Sequence, residues 1–91
     1  MIIRAMINTD ANVEPWWENG GSKLWDKYEH TKDKYGYLNF DEKTAVEFFN
    51  AAEQIEGWGV SNPMEFHLHP VTFQTDSCEE VWFDNGKVVV C

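Results

Sequence analysis

Residues 41–56, DEKTAVEFFNAAEQIE, carry the pattern that decides the fold. Apolar side chains recur there at the i, i+3, i+4 and i+7 spacing of an amphipathic helix, at Ala45, Phe48, Phe49, Ala52 and Ile55. Asp41 is a suitable N-cap, with Asn39 as the competitor, and Gly57 is a suitable residue to follow the last turn. The spacing therefore predicts one main helix with a continuous apolar face.

The C-terminal stretch 81–90, VWFDNGKVVV, predicts a β-hairpin. Asn85-Gly86 accepts the positive φ angles of a type I′ turn, which makes these two residues the tip. In that register Asp84 faces Lys87, a favourable cross-strand charge pair. Trp82 then faces Val89.

The two cysteines, Cys78 and Cys91, lie at the open end of this hairpin. The register places Cys91 opposite Glu80, so Cys78 is a diagonal neighbour at about 7–8 Å. A disulfide requires Cα atoms closer than about 6.8 Å, so an unbulged hairpin predicts free thiols. Free thiols are typical of an intracellular protein.

The N-terminal half is less regular. Residues 1–8, MIIRAMIN, predict a strand, and residues 37–40, YLNF, predict either a short strand or an extended lead-in. Between them, Pro15 is expected to open a helical turn that Gly20-Gly21 stops. Ser22 then caps a second short helix, whose shared face carries Leu24, Trp25, Tyr28 and Thr31.

These elements predict a single α+β domain over residues 1–91. We expect a mostly antiparallel sheet of four or five strands. The main amphipathic helix, residues 41–56, packs on one face of this sheet, and the C-terminal hairpin completes it.

The stretch 64–70, MEFHLHP, leaves two interpretations open. On a strand, Met64, Phe66 and Leu68 face the core, while Glu65, His67 and His69 share the other face. Two imidazoles on one face suit a zinc or iron site, with Glu65, His30 or a cysteine as the third ligand. The same face is also an ordinary solvated strand surface. Beyond Pro70 the apolar pattern shifts by one residue, which predicts a bulge or strand break there.

The net charge is −9, from 16 acidic and 7 basic residues. Such a charge repels phosphates, so direct binding to nucleic acid or to an anionic membrane is not expected. It favours a basic protein partner, although solubility alone also explains it. The sequence is also compatible with a homodimer.

We expect no catalytic residue and no cofactor, and therefore no enzyme. A Cys–His pair is available on paper, but carboxylates flank Cys78, which blunts a thiol, and Cys91 is the last residue. The stretch ENGGS lacks the Lys-Ser/Thr of a phosphate-binding loop.

The candidate partner-binding site lies in the aromatic and acidic segment before the main helix. Its tryptophans and tyrosines are typical interface anchors, although filling the core of a small domain is the competing use. The predicted binding residues are Glu14, Trp16, Trp17, Glu18, Trp25, Asp26, Tyr28, Glu29 and Asp33.

The N-terminal apolar run is only seven residues long and contains Arg4, which does not fit a signal peptide. The longest apolar runs of the chain are too short to cross a bilayer. We therefore expect a soluble, cytoplasmic protein.

A short, strongly acidic, Trp-rich α+β chain resembles the small inhibitor proteins of phages and mobile elements, such as anti-CRISPR proteins and anti-restriction DNA mimics. Residues 39–58, NFDEKTAVEFFNAAEQIEGW, are similar to helices of that group. The resemblance carries over no functional residue by position. It implies an inhibitor that blocks a basic, nucleic-acid-binding target, such as a defence nuclease or CRISPR effector, by steric and electrostatic mimicry.

Two alternatives accompany this expectation. One is a metal-binding protein or small metalloenzyme that uses His67, His69 and Glu65. The other is an immunity protein or antitoxin directed against a basic toxin.

Overall fold

Five strands form two antiparallel sheets in the computed structural model, which describes residues 1–60 and 62–90 and only the backbone of Pro63. The first sheet has the order β2-β1-β3, and the second is the pair β4-β5. An isolated bridge between Gln74 and Glu80 joins the two sheets. The strands are β1 (Ile3–Ile7), β2 (Leu38–Phe40), β3 (Val71–Thr75), β4 (Val81–Asp84) and β5 (Lys87–Val90).

The strand register gives the three-stranded sheet an apolar face and a polar face. Ile3 pairs with both Phe40 and Thr75, and all three side chains are buried. Alternate residues point the other way, so Arg4 shares the outer face with its partners Asn39 and Gln74. The inner face forms one wall of the core, and the outer face is open to a ligand.

The main helix, α3 (Glu42–Glu53), packs against the apolar face. Its predicted stripe is confirmed at Ala45, Phe48, Phe49 and Ala52, which are all buried, whereas Ile55 lies beyond the helix and is half-buried. The Asp41 cap is also confirmed, since its carboxylate accepts a hydrogen bond from the Thr44 N–H at 2.7 Å. The predicted end at residue 56 is wrong. After Glu53 the chain makes i→i−3 hydrogen bonds that close the helix early, from Gln54 and then Ile55.

A helical segment with a kink precedes β2: α1 (Glu14–Trp16), a π-helical turn (Trp17–Gly21) and α2 (Ser22–Lys27). Pro15 lies in its first turn, as predicted. The helix is interrupted at Gly20, whose φ of 135° is not helical, as the prediction for Gly20-Gly21 requires, but Ser22 makes no side-chain capping bond to α2. Gly21 also has a role in packing. A Cβ on Gly21 would lie 2.3 Å from the Trp16 ring, so the glycine makes room for the indole.

The hairpin prediction is confirmed in turn and register. Asn85 and Gly86 have φ angles of 50° and 74°, as a type I′ turn requires. Asp84 pairs with Lys87, and Trp82 pairs with Val89. Cys78 is free and exposed, whereas the predicted relation to Cys91 lies outside the described residues.

The strand prediction for residues 64–69 is wrong. Residues Pro63–Leu68 form 3-10 helical turns, and Asn62 caps them by accepting a hydrogen bond from the Met64 N–H at 2.9 Å. A proline after a capping residue favours this start of a helical turn. The predicted break at Pro70 is confirmed, because β3 begins at Val71.

Candidate functional site

The tryptophans of the predicted binding segment are mostly core residues. Trp16 is completely buried, and its Nε1 donates a hydrogen bond to the Ala52 carbonyl at 3.0 Å. Trp25 is only 6% exposed and meets Phe48 edge-on. Neither indole presents a surface to a partner. The expectation that Trp16 and Trp25 anchor a complex is therefore corrected: both fill the interior of a small domain.

Two aromatic side chains of the same segment remain partly accessible. Trp17 is half-buried beside Trp16, with ring centroids 6.4 Å apart. Tyr28 is half-buried as well and contacts Phe40 and Phe48 edge-on at 5.2 and 5.5 Å. Each ring is fixed on one side by the core. The accessible remainder is a rigid aromatic edge, which loses little entropy on binding.

Three carboxylates of the predicted binding site are exposed on the surface of the helical segment. Glu14, Glu18 and Asp26 are all exposed. Lys23 and Lys27 are exposed on the same segment, and Lys27 Nζ lies 6.0 Å from the Tyr28 ring centroid. The surface is therefore acidic at several points without being uniformly so.

The other two carboxylates of the predicted binding site, Glu29 and Asp33, interact with residues of the stretch between α2 and β2. Glu29 forms an ion pair with Lys32. Asp33 organises the approach to β2, because its carboxylate accepts hydrogen bonds from the N–H groups of Tyr35 and Tyr37 and from the Asn39 amide. Asp33 therefore stabilises a turn, and its oxygens are not free for a partner.

The hydrogen bonds at Asp33 also set its ionisation. Desolvation opposes the charged form and would raise the pKa. The hydrogen bonds from Asn39, Tyr35 and Tyr37, together with the Arg4 charge, outweigh that cost and lower the pKa of Asp33 below its usual value. The carboxylate is thus ionised over the whole neutral range.

Acidic groups are distributed over the rest of the surface too. All sixteen Asp and Glu side chains lie in the described residues, and none of them is buried. Exposed examples away from the helical segment are Glu42 and Glu47 on α3, and Asp76, Glu79 and Glu80 between β3 and β4. The core is built without carboxylates.

His67 and His69, the histidines of the predicted metal site, do not share a face. His67 is exposed, whereas His69 is 2% exposed and stacks between Trp58 and Trp82, with centroids 4.9 and 5.3 Å away. His69 Nε2 lies 2.7 Å from the Val60 carbonyl, so this nitrogen carries the proton and donates.

The geometry that motivated a metal site is therefore absent, because Pro63–Leu68 form 3-10 turns with a kink at Glu65 and not an extended strand. Within residues 1–60 and 62–90, no group of three or more His, Cys, Asp or Glu side chains is arranged to hold an ion. The sequence signal that could have revealed the role of His69 is its place directly before Pro70, at the point where the apolar pattern shifts.

Comparisons with protein-family models, with curated proteins and with solved structures found no match. None of the described helices is both long and apolar enough to cross a membrane.

Proposed function

We propose that this protein is a small acidic inhibitor that binds a basic, nucleic-acid-binding protein and blocks its nucleic-acid surface. The observation that supports the proposal is the arrangement of charge: sixteen carboxylates outnumber seven Lys and Arg, and none of the carboxylates is buried. A surface field of one sign attracts an oppositely charged partner and accelerates encounter.

Burial of Trp16 and Trp25 changes how the complex is held together. Aromatic anchors usually supply much of the affinity of a protein interface. Here electrostatic attraction by Glu14, Glu18 and Asp26 supplies most of the affinity, and the accessible edge of Trp17 adds an apolar contact. Charge-led binding weakens steeply as salt is added, so the affinity of the complex should fall strongly with ionic strength.

Inhibition requires that this protein and the nucleic acid compete for the same surface of the basic partner. Lys and Arg side chains that bind phosphates would bind these carboxylates instead, and the body of the domain would exclude the nucleic acid. An immunity protein would bind a basic toxin through the same electrostatic attraction. The identity of the partner distinguishes an immunity protein from an inhibitor of a nucleic-acid-binding protein.

The test begins with capture from a lysate of the source organism on immobilised protein, followed by elution with rising salt. Each captured protein is purified and assayed for nucleic-acid binding with and without the inhibitor. The proposal predicts a basic partner whose nucleic-acid binding is lost stoichiometrically. A partner that binds nucleic acid equally well in the presence of saturating inhibitor would refute it.

A pair of matched variants assigns the surface. Glu18→Lys/Asp26→Lys and Glu47→Lys/Glu79→Lys change the net charge by the same amount, but only the first pair lies on the helical segment. We expect the first variant to weaken binding at least about tenfold, the equivalent of about 1.4 kcal/mol, and the second to weaken it much less. Equal losses would show unspecific attraction. Circular dichroism establishes that both variants are folded.

A further inference from the structure

A concavity of about 450 Å³ opens on the outer face of the three-stranded sheet. Met6, Thr72 and Gln74 line it; Met6 and Thr72 are register partners, so their side chains lie on the same face. Its volume is within the range of pockets that hold small ligands or single side chains. Tyr37, the residue that leads into β2, also lines it.

One wall of the concavity is held in place by Asn8. The Asn8 side chain donates to the carbonyls of His67 and His69 at 2.7 and 3.0 Å, and its backbone N–H donates to the Pro70 carbonyl at 2.8 Å. These bonds fasten the loop that carries Phe66 to the end of β1. The wall is therefore preformed, which reduces the entropy lost when a ligand binds.

The charges around the concavity are acidic. Asp10 and Glu80 line it, and no Lys or Arg does so among the described residues. Arg4 lies on the same face of the sheet and is engaged beside the concavity, against Tyr37, which lines it. Its guanidinium carbon is 4.6 Å from the Tyr37 ring centroid, and its Nη2 donates to the Thr75 carbonyl and the Cys78 Sγ at 3.4 Å each.

Apolar groups accompany the two carboxylates. Met6 and Phe66 line the concavity, and so does Leu68, which is 58% exposed. Together these three side chains give the concavity an apolar part of its lining, which favours a ligand with an apolar part. A Lys or Arg side chain has both features, because an aliphatic stem packs on apolar atoms while the charged head reaches a carboxylate.

We propose that this concavity binds one Lys or Arg side chain of the basic partner, with the stem against Met6 and Leu68 and the head near Asp10 or Glu80. The proposal rests on the proposed function for the source of that side chain. It places a specific contact on the outer face of the sheet, next to Tyr37, in the loop between the helical segment and β2.

A titration without any partner tests the pocket itself. We would add N-acetyl-argininamide to ¹⁵N-labelled protein and follow the amide resonances by NMR, with N-acetyl-citrullinamide as the uncharged control of nearly equal shape. We expect saturable shifts at Asp10, Thr72, Gln74 and Glu80 with the arginine compound, and an affinity at least about fivefold weaker for citrulline, as loss of a charge-assisted contact predicts. Equal affinities, or shifts spread over all acidic residues, would overturn the proposal.

Variants locate the charged contact. Asp10→Asn and Glu80→Gln should each weaken binding of the arginine compound, by about two- to fivefold, since exposed ion pairs contribute little individually. Glu47→Gln removes the same charge from α3, away from the concavity, and should leave the affinity nearly unchanged. Equal effects of all three variants would show general attraction and refute a site.

The two proposals fail separately. If Glu18→Lys/Asp26→Lys abolishes partner capture while Asp10→Asn/Glu80→Gln leaves both capture and the arginine titration intact, the inhibitor role stands and the pocket assignment is wrong. If the arginine compound binds saturably and loses affinity in the pocket variants while no basic partner is inhibited, the pocket stands and the proposed function is wrong.

Discussion

Gly21→Ala separates helix propensity from packing, because the two predict opposite signs. Gly21 has ordinary helical angles, with φ of −59°, at the junction of the π-helical turn and α2. At a position with such angles, replacing glycine by alanine usually stabilises a protein by about 0.4–1 kcal/mol because it restricts the unfolded chain, so this effect alone predicts a more stable protein. The structure predicts the reverse.

The alanine methyl would lie 2.3 Å from Trp16 Cε3, and two further ring carbons lie within 2.6 Å. Trp16 cannot simply move aside. Its backbone is packed under Gly57, where a Cβ would lie 2.5 Å from the Trp16 nitrogen, and its Nε1 is bonded to Ala52. A contact at 2.3 Å corresponds to the upper part of the usual overpacking cost, about 2–3 kcal/mol, and subtracting a gain of about 1 kcal/mol leaves a net loss of about 1–2 kcal/mol.

Urea denaturation followed by circular dichroism measures this loss. For a domain of this size it corresponds to a fall in Tm of roughly 4–16 °C. Lys23→Ala, an exposed position in α2, is the control and should change stability by less than about 0.5 kcal/mol. The reasoning is refuted if Gly21→Ala is as stable as the unaltered protein, or if its effect is fully additive with that of Trp16→Phe in a double-mutant cycle.

Three further predictions concern the cap, the pH and the buried histidine. Asp41→Ala removes the acceptor for the Thr44 N–H and should cost about 0.5–2 kcal/mol in urea denaturation; an unchanged midpoint would contradict the cap. Hydrogen bonds from Thr44 lower the pKa of Asp41 below 3.8, so the ionised carboxylate stabilises the fold above about pH 4, and this contribution is lost as the pH falls through the lowered pKa. Asp41→Asn should therefore flatten the acid limb of a plot of stability against pH. An unchanged acid limb would count against this. His69→Ala should destabilise by about 2–4 kcal/mol in thermal melts because it empties the space between two indoles, whereas His67→Ala, at an exposed position, should change stability little; equal effects would contradict the stack.

The parts of the fold that could be predicted have strong local signals. The apolar stripe of α3 and its Asp41 cap depend only on residues within one helix, and the Asn85-Gly86 turn alone determines the register of the hairpin. The end of α3 was harder to place, because the early closure after Glu53 is set by hydrogen bonds that no residue type announces.

The errors arose where distant residues decide the local structure. Gly20-Gly21 interrupts the helix as its sequence predicts, but the need for Gly21 to leave space for the Trp16 ring depends on tertiary packing. Alternation in residues 64–69 imitates a strand, although Met64 is among the most exposed apolar residues in the described part of the chain. Which tryptophans are buried also depends on tertiary packing, and sequence composition does not contain that information.

The separation of charge from core has an evolutionary consequence. Asp33 and Asp41 hold a turn and a helix start through their carboxylates, whereas most of the other acidic side chains are simply exposed. Substitutions at such exposed positions usually change stability by less than about 0.5 kcal/mol. The pattern of negative charge can therefore change at many positions without loss of the fold, whereas the aromatic interior tolerates far less change.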